Sequence, residues 1–194
     1  MKTLQKFTVF HRLLHWIIAT VMVILFVTGF LRMYWMSKKT IINAVETEIQ
    51  KQNLDFSFDK TQITDIVKSI QKPMWEWHEY AAYIIFFVFF ARIIYMFAKG
   101  IKFPNPFEKN QPAKERMQGF IYVLFYLFLI SSIVTGAYLK WGNGGELKEQ
   151  MEAIHKWAIY WFPVFILLHF GGIAIAELTS KKGITSRMIG GDFR

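Results

Sequence analysis

Five histidines, His11, His15, His78, His155 and His169, are the side chains of this 194-residue sequence best suited to holding a metal. The sequence has no cysteine, which excludes iron–sulfur clusters, thiolate zinc sites, disulfides and covalent C-x-x-C-H attachment of haem. All five lie at or within long apolar runs, and none falls in the polar stretch 36–74. An ionisable group at membrane depth is costly and marks a function by default. Any one of them alone is equally well explained as a polar residue near a membrane interface, so relative placement has to decide. His155 and His169 bracket HKWAIYWFPVFILLH and are 14 residues apart. On a helix that spacing puts them within ~40° of one face and ~21 Å apart in depth. One segment therefore presents two imidazoles on one stripe, one near each side of a bilayer.

The elements that must position them are membrane helices. The composition is 54% hydrophobic and 18% aromatic, which is membrane-like rather than soluble. Four runs reach the roughly 20 apolar residues that a spanning helix needs, giving spans at about 12–34, 76–98, 118–139 and 155–177. Trp16, Tyr34, Trp35, Trp75, Trp77, Tyr138, Trp141 and Trp157 sit at their ends, as an interfacial belt requires. The first run is too long for the apolar core of a signal peptide, so no cleavable leader is expected. The net charge of +9 sorts by side. With the N-terminus inside, the inner segments carry 13 Lys and Arg against four acidic residues, and the outer ones carry 10 of each. This bias places both termini in the cytoplasm and assigns the basic character to the membrane surface rather than to nucleic acid.

The expected fold is an all-α membrane protein, a single four-transmembrane-helix bundle over 1–194 with a helical outer loop at 36–74. In that loop IINAVETEIQKQ and DKTQITDIVKSIQK have helical spacing, and Asp59 is a plausible N-cap for the second. A loop of this length is either a solvated helical hairpin or a surface on which a partner docks. The inner connection KGIKFPNPFEKNQPAKER has three prolines and reads as irregular. Pro163 removes a hydrogen bond within the last span and is expected to kink it between the two histidines.

In this topology His15 opens the first span on the inner side and His78 opens the second on the outer side. Each histidine of the last span then has a partner at its own depth, His15 with His169 and His78 with His155. Two bis-histidine pairs stacked in a four-helix bundle are what two haem b groups need. Arg92 follows His78 by 14 residues, which puts it on the same face at the depth of the inner pair. An arginine there costs about 2.5–3.5 kcal/mol unless compensated, as haem propionates would do, or unless it snorkels to the inner surface. Gly29 follows His15 by 14, at the outer depth, where its missing side chain would let a flat macrocycle approach. Gly136, in IVTGA, lies at a similar depth and repeats the VTG of the first span. Helix–helix packing is the commoner explanation for such glycines. His11 lies one turn before His15 and could replace it as ligand, but it starts outside the apolar core and reads better as an interfacial residue.

These residues resemble the prokaryotic di-haem cytochrome b family, which includes the b-type subunits of nickel–iron hydrogenases and formate dehydrogenases and free-standing quinone-linked b cytochromes. HRLLHWIIATVMVILFVTGF resembles the family's R-x-x-H-W opening, HEYAAYIIFFVFFARIIYMF its second span, HKWAIYWFPVFILLH its last, and KKGITSRMIGG the tail of hydrogenase-type members. The stretch KERMQGF before the third span departs from those members, which often carry a histidine there. The resemblance implies His15, His78, His155 and His169 as axial ligands of two haem b irons, with Arg12 and Arg92 beside them. It also implies a quinone site near the inner haem, close to His169, and electron exchange with a periplasmic redox partner at the bacterial inner membrane. The expectation is an electron-transfer subunit of an oxidoreductase. The alternatives are a self-sufficient quinone oxidoreductase taking a small outer reductant such as superoxide, and a haem-free transporter or assembly protein.

Overall fold

The computed structural model describes residues 7–53, 55, 58–101, 104–179 and 182–191. Among them there are helices, turns and no strand. The helices are α1 (Val9–Met33), α2 (Lys38–Lys51), α3 (Lys60–Ala98), α4 (Ala113–Trp141), α5 (Glu146–Lys156), α6 (Ala158–Thr179) and α7 (Ile184–Gly190). Four segments are long and apolar enough to cross a membrane: Val9–Met33, Thr61–Ala98, Ala113–Trp141 and Glu146–Thr179. Their exposed faces are rich in Phe, Leu, Val and Trp, which suits a lipid surround.

Two boundaries differ from the sequence expectation. The second loop helix and the second span are one helix, α3, of 39 residues. At ~1.5 Å per residue it is ~58 Å long, well beyond the ~30 Å of a hydrocarbon core. It keeps Pro73 in its interior. Its start is set by Asp59, whose Oδ1 accepts the N–H groups of Thr61 and Gln62 at 2.7 and 2.8 Å, while Gln62 Oε1 accepts the Asp59 N–H at 3.0 Å. This reciprocal pair is a capping box. The other difference is in the last span. α6 runs through Pro163 unbroken, and the discontinuity falls at Trp157, just after His155. There the chain stays αR (φ −61, ψ −19), but the Trp157 N–H turns to Ile154 O at 3.1 Å, a tightened turn. Pro163 has no N–H for Ile159 O, and α6 continues past that missing bond. His155 thus ends α5, and His169 lies on α6.

Contacts divide the chain into two units, residues 1–20 with 85–194, and residues 21–84. In the first unit α5 meets α4 through His155 and Thr135, and α6 packs on α4 through aromatic pairs. Phe128 stacks on Trp161 (5.5 Å, 11°) and Phe125 meets Phe165 (4.5 Å, 31°), around buried Leu129, Ile159 and Phe162. One end of this unit gathers the start of α1, the ends of α3 and α6, the start of α4, and α7. Thr8 bonds Tyr95, Lys114 Nζ donates to Thr179 Oγ1, and Trp16 Nε1 donates to Met188 O of α7. The turn into α7 is held by Glu177, whose carboxylate accepts the N–H groups of Gly183 and Thr185. In the second unit α2 lies on the first half of α3, with Ile41, Val67 and Met74 buried and Gln71 Nε2 donating to Met36 O.

Candidate functional site

At the end of the first unit where α1 begins and α7 lies, His15 on α1 faces His169 on α6. Their ring centroids are 6.0 Å apart and their planes 37° apart. Two imidazoles on one metal, with metal–nitrogen bonds of about 2 Å, hold their centroids about 6 Å apart. Phe165 stacks on His169 (5.5 Å, 22°) and Trp16 meets His15 edge-on (5.5 Å, 80°). His11 sits elsewhere, between Phe7 at 5.4 Å and Tyr95 at 6.2 Å. Of the two N-terminal histidines, His15 is the one beside His169.

Three arginines stand at the same end, each with a buried N–H that has no acceptor among the described residues. Arg92 Nε donates to Tyr126 Oη at 3.0 Å, and that hydroxyl donates to Met96 Sδ at 3.3 Å, but Arg92 Nη1 is buried without a partner. The Arg92 charge is near enough to act on both His11 and His15. Arg12 Nε and Nη1 are likewise buried and unmatched, and the Arg12 guanidinium lies against the backbone of Gly191. Gly191 has φ +87, and an added Cβ would strike Arg12 Nη1. Arg187 donates through Nη1 to Lys182 O, leaving Nε unmatched. A buried donor without an acceptor costs about 1–3 kcal/mol, and more when charged. The fitting complement is an anion, and carboxylates match guanidinium geometry best.

The other two histidines each meet a threonine. In the second unit Thr28 Oγ1 lies 2.8 Å from His78 Nδ1. In the first unit Thr135 Oγ1 lies 3.0 Å from His155 Nδ1. Gly136 is what lets the His155 ring lie against α4, because a Cβ built there would sit 3.1 Å from Cε1. The space at Gly136 is therefore filled by imidazole. Gly29 is half-buried on α1, next to Thr28. The aromatics between the histidines of the last span are engaged with α4, Trp161 with Phe128 and Phe165 with Phe125. His78 and His155 belong to different units.

Thr28, Thr135, Tyr126 and Arg187 were not singled out from the sequence. The two threonines had a visible signal, the repeated V-T-G, which the sequence reading attached to the glycines alone. Tyr126 had none, being one aromatic among many in an apolar span.

Among the described residues no cluster of three or more His, Cys, Asp or Glu could hold a metal ion. A metal held by His15 and His169 needs its remaining ligands from a group that brings its own. Haem does so with four pyrrole nitrogens, and its two propionates suit the unmatched guanidinium N–H groups. The residues present therefore fit haem. A helical multi-pass membrane protein with such a site has the character of a b-type membrane cytochrome. The chain belongs to the prokaryotic cytochrome b561 family, whose model matches residues 6–191. No curated protein and no solved structure matches it. It is accordingly a membrane protein of a family that binds haem b and carries electrons across membranes.

Proposed function

We propose that this chain passes electrons between the membrane quinone pool and a redox partner on the periplasmic side, as the membrane subunit of a respiratory oxidoreductase of the bacterial inner membrane. The observation that carries this reading is the facing of His15 and His169 at 6.0 Å, with unmatched arginine N–H groups at the same end. Haem b, when bound, would supply a one-electron iron couple, and ligation by two imidazoles would leave it no position open to oxygen or a soluble substrate. His15 and His169 would hold one haem iron. His78 and His155 hold the second, a pairing that rests on their matched depths in the sequence. Arg12 and Arg92 donate to propionates, with Tyr126 fixing the Arg92 side chain through Nε so that Nη1 is left to bind. Gly29 leaves room for a macrocycle beside α1. Quinone exchanges near His169, at the cytoplasmic end. The excess of Lys and Arg on the segments that include both termini supports a cytoplasmic placement for them. The polar hairpin of α2 and the start of α3 supports a docked partner, because a free-standing carrier needs no such projection.

The test is a reduced-minus-oxidised visible spectrum of the purified full-length protein with haem counted per chain. Two b-type haems per chain are expected, and a protein without a b-type α-band sinks the reading. Copurification of a periplasmic redox protein supports the subunit assignment. A chain that reduces quinone from a small donor while purified alone overturns it.

A further inference from the structure

Among the described residues three polar side chains are buried, Thr28, Gln71 and Thr135, and two of these three are the threonines that meet histidines. Each threonine hydroxyl also lies against its own helix. Thr28 Oγ1 is 2.7 Å from Ile24 O and 3.0 Å from Leu25 O. Thr135 Oγ1 is 2.7 Å from Ser131 O and 3.2 Å from Ser132 O. A hydroxyl has one proton and two lone pairs, and a backbone carbonyl only accepts. The proton must therefore go to the carbonyl, since two bare oxygens at 2.7 Å would repel. What remains toward the imidazole is a lone pair, so His78 Nδ1 and His155 Nδ1 are the donors. A neutral imidazole with its proton on Nδ1 carries its lone pair on Nε2, the nitrogen on the far side of the ring from the threonine.

We propose that Thr28 and Thr135 are positioning residues that lock His78 and His155 in the tautomer whose Nε2 binds iron, and that hold the potential of the haem so bound below the value it would have without them. The proposal rests on the haem reading above. Accepting the Nδ1 proton pushes electron density onto the ring and makes Nε2 the stronger donor, which favours ferric over ferrous iron. The same local sequence supplies the device twice, Val27-Thr28-Gly29 on α1 and Val134-Thr135-Gly136 on α4. At the second, the glycine also clears space for the ring. V-T-G here is a seat for a histidine. Nothing equivalent serves the other ligands: among the described residues no hydroxyl or carbonyl hydrogen-bonds to His15 or His169. The two haems are thereby tuned by different means.

The experiment is a potentiometric titration of the purified, haem-loaded full-length protein, followed at the α-band, for Thr28→Val, Thr135→Val and the matching serine variants. Valine keeps the shape and removes the hydroxyl, whereas serine keeps it. Each valine variant is expected to move one midpoint to more positive potential and leave the other in place, and each serine variant to stay near the parent. If a valine variant loses a haem, its serine counterpart must restore both the haem and the midpoint. Valine variants with two haems and unmoved midpoints overturn the proposal, as does a serine variant that behaves like valine. A parent protein with no b-type haem would instead sink the reading on which the proposal stands.

Discussion

At the scale of single residues, Gly136 is the glycine whose missing side chain makes room for a histidine. A methyl there would sit 3.1 Å from His155 Cε1, so the ring must yield by a few tenths of an ångström while still reaching Thr135 at 3.0 Å. Gly136→Ala is expected to cost about 1–3 kcal/mol, as overpacking does, and to weaken one haem selectively. The measurement is a thermal melt followed at the α-band, in which the variant should lose one haem at lower temperature than the parent and keep the other. The histidines and Arg92 were legible in the sequence because polar groups stand out in apolar runs. The threonines were not. A threonine in a membrane helix commonly spends its proton on its own preceding turn, and only the fold reveals that His78 or His155 takes the other side of the oxygen.

Elements were legible as periodicity and illegible where two of them join. The spans near 12–34 and 118–139 correspond to α1 and α4, but the loop helix starting at Asp59 continues into the second span through Pro73. Sequence pattern marked a composition change near residue 75, and a helix has no reason to stop at a membrane surface. The capping box at Asp59 gives a clean test of that end. Asp59→Ala should cost about 1 kcal/mol and fray the first turns of α3. Hydrogen exchange should rise at Thr61 and Gln62, with the haem spectrum unchanged, since His78 lies ~28 Å further along the helix. The discontinuity between His155 and His169 falls at Trp157, where the turn tightens, rather than at the proline itself. Pro163→Ala returns an N–H to Ile159 O and tests whether the proline sets that joint. The ring of His155 should then turn relative to α4, and the α-band of its haem should shift while that of the His15 haem does not. Two unchanged bands would show that the joint has another origin.

For the whole molecule the decisive prediction is a pairing. Replacing His15 or His169 by alanine should remove one and the same haem, and replacing His78 or His155 should remove the other, as read by haem per chain and the surviving midpoint. If both single replacements on the last span leave two haems, the ligand assignment is wrong. The absence of cysteine offers an orientation test, because any introduced cysteine is the chain's one thiol. Lys148→Cys should react with an impermeant maleimide added outside the cell, and Lys109→Cys should not. The opposite pattern would invert the topology inferred from charge.

The meeting of His15 with His169 also sets an order in time. His169 follows His15 by 154 residues, so at 5–20 residues per second the first imidazole waits roughly 8–30 s for its counterpart to be synthesised. Trp16 waits longer still for Met188. A cofactor held by both imidazoles would be captured only after translation has passed α6.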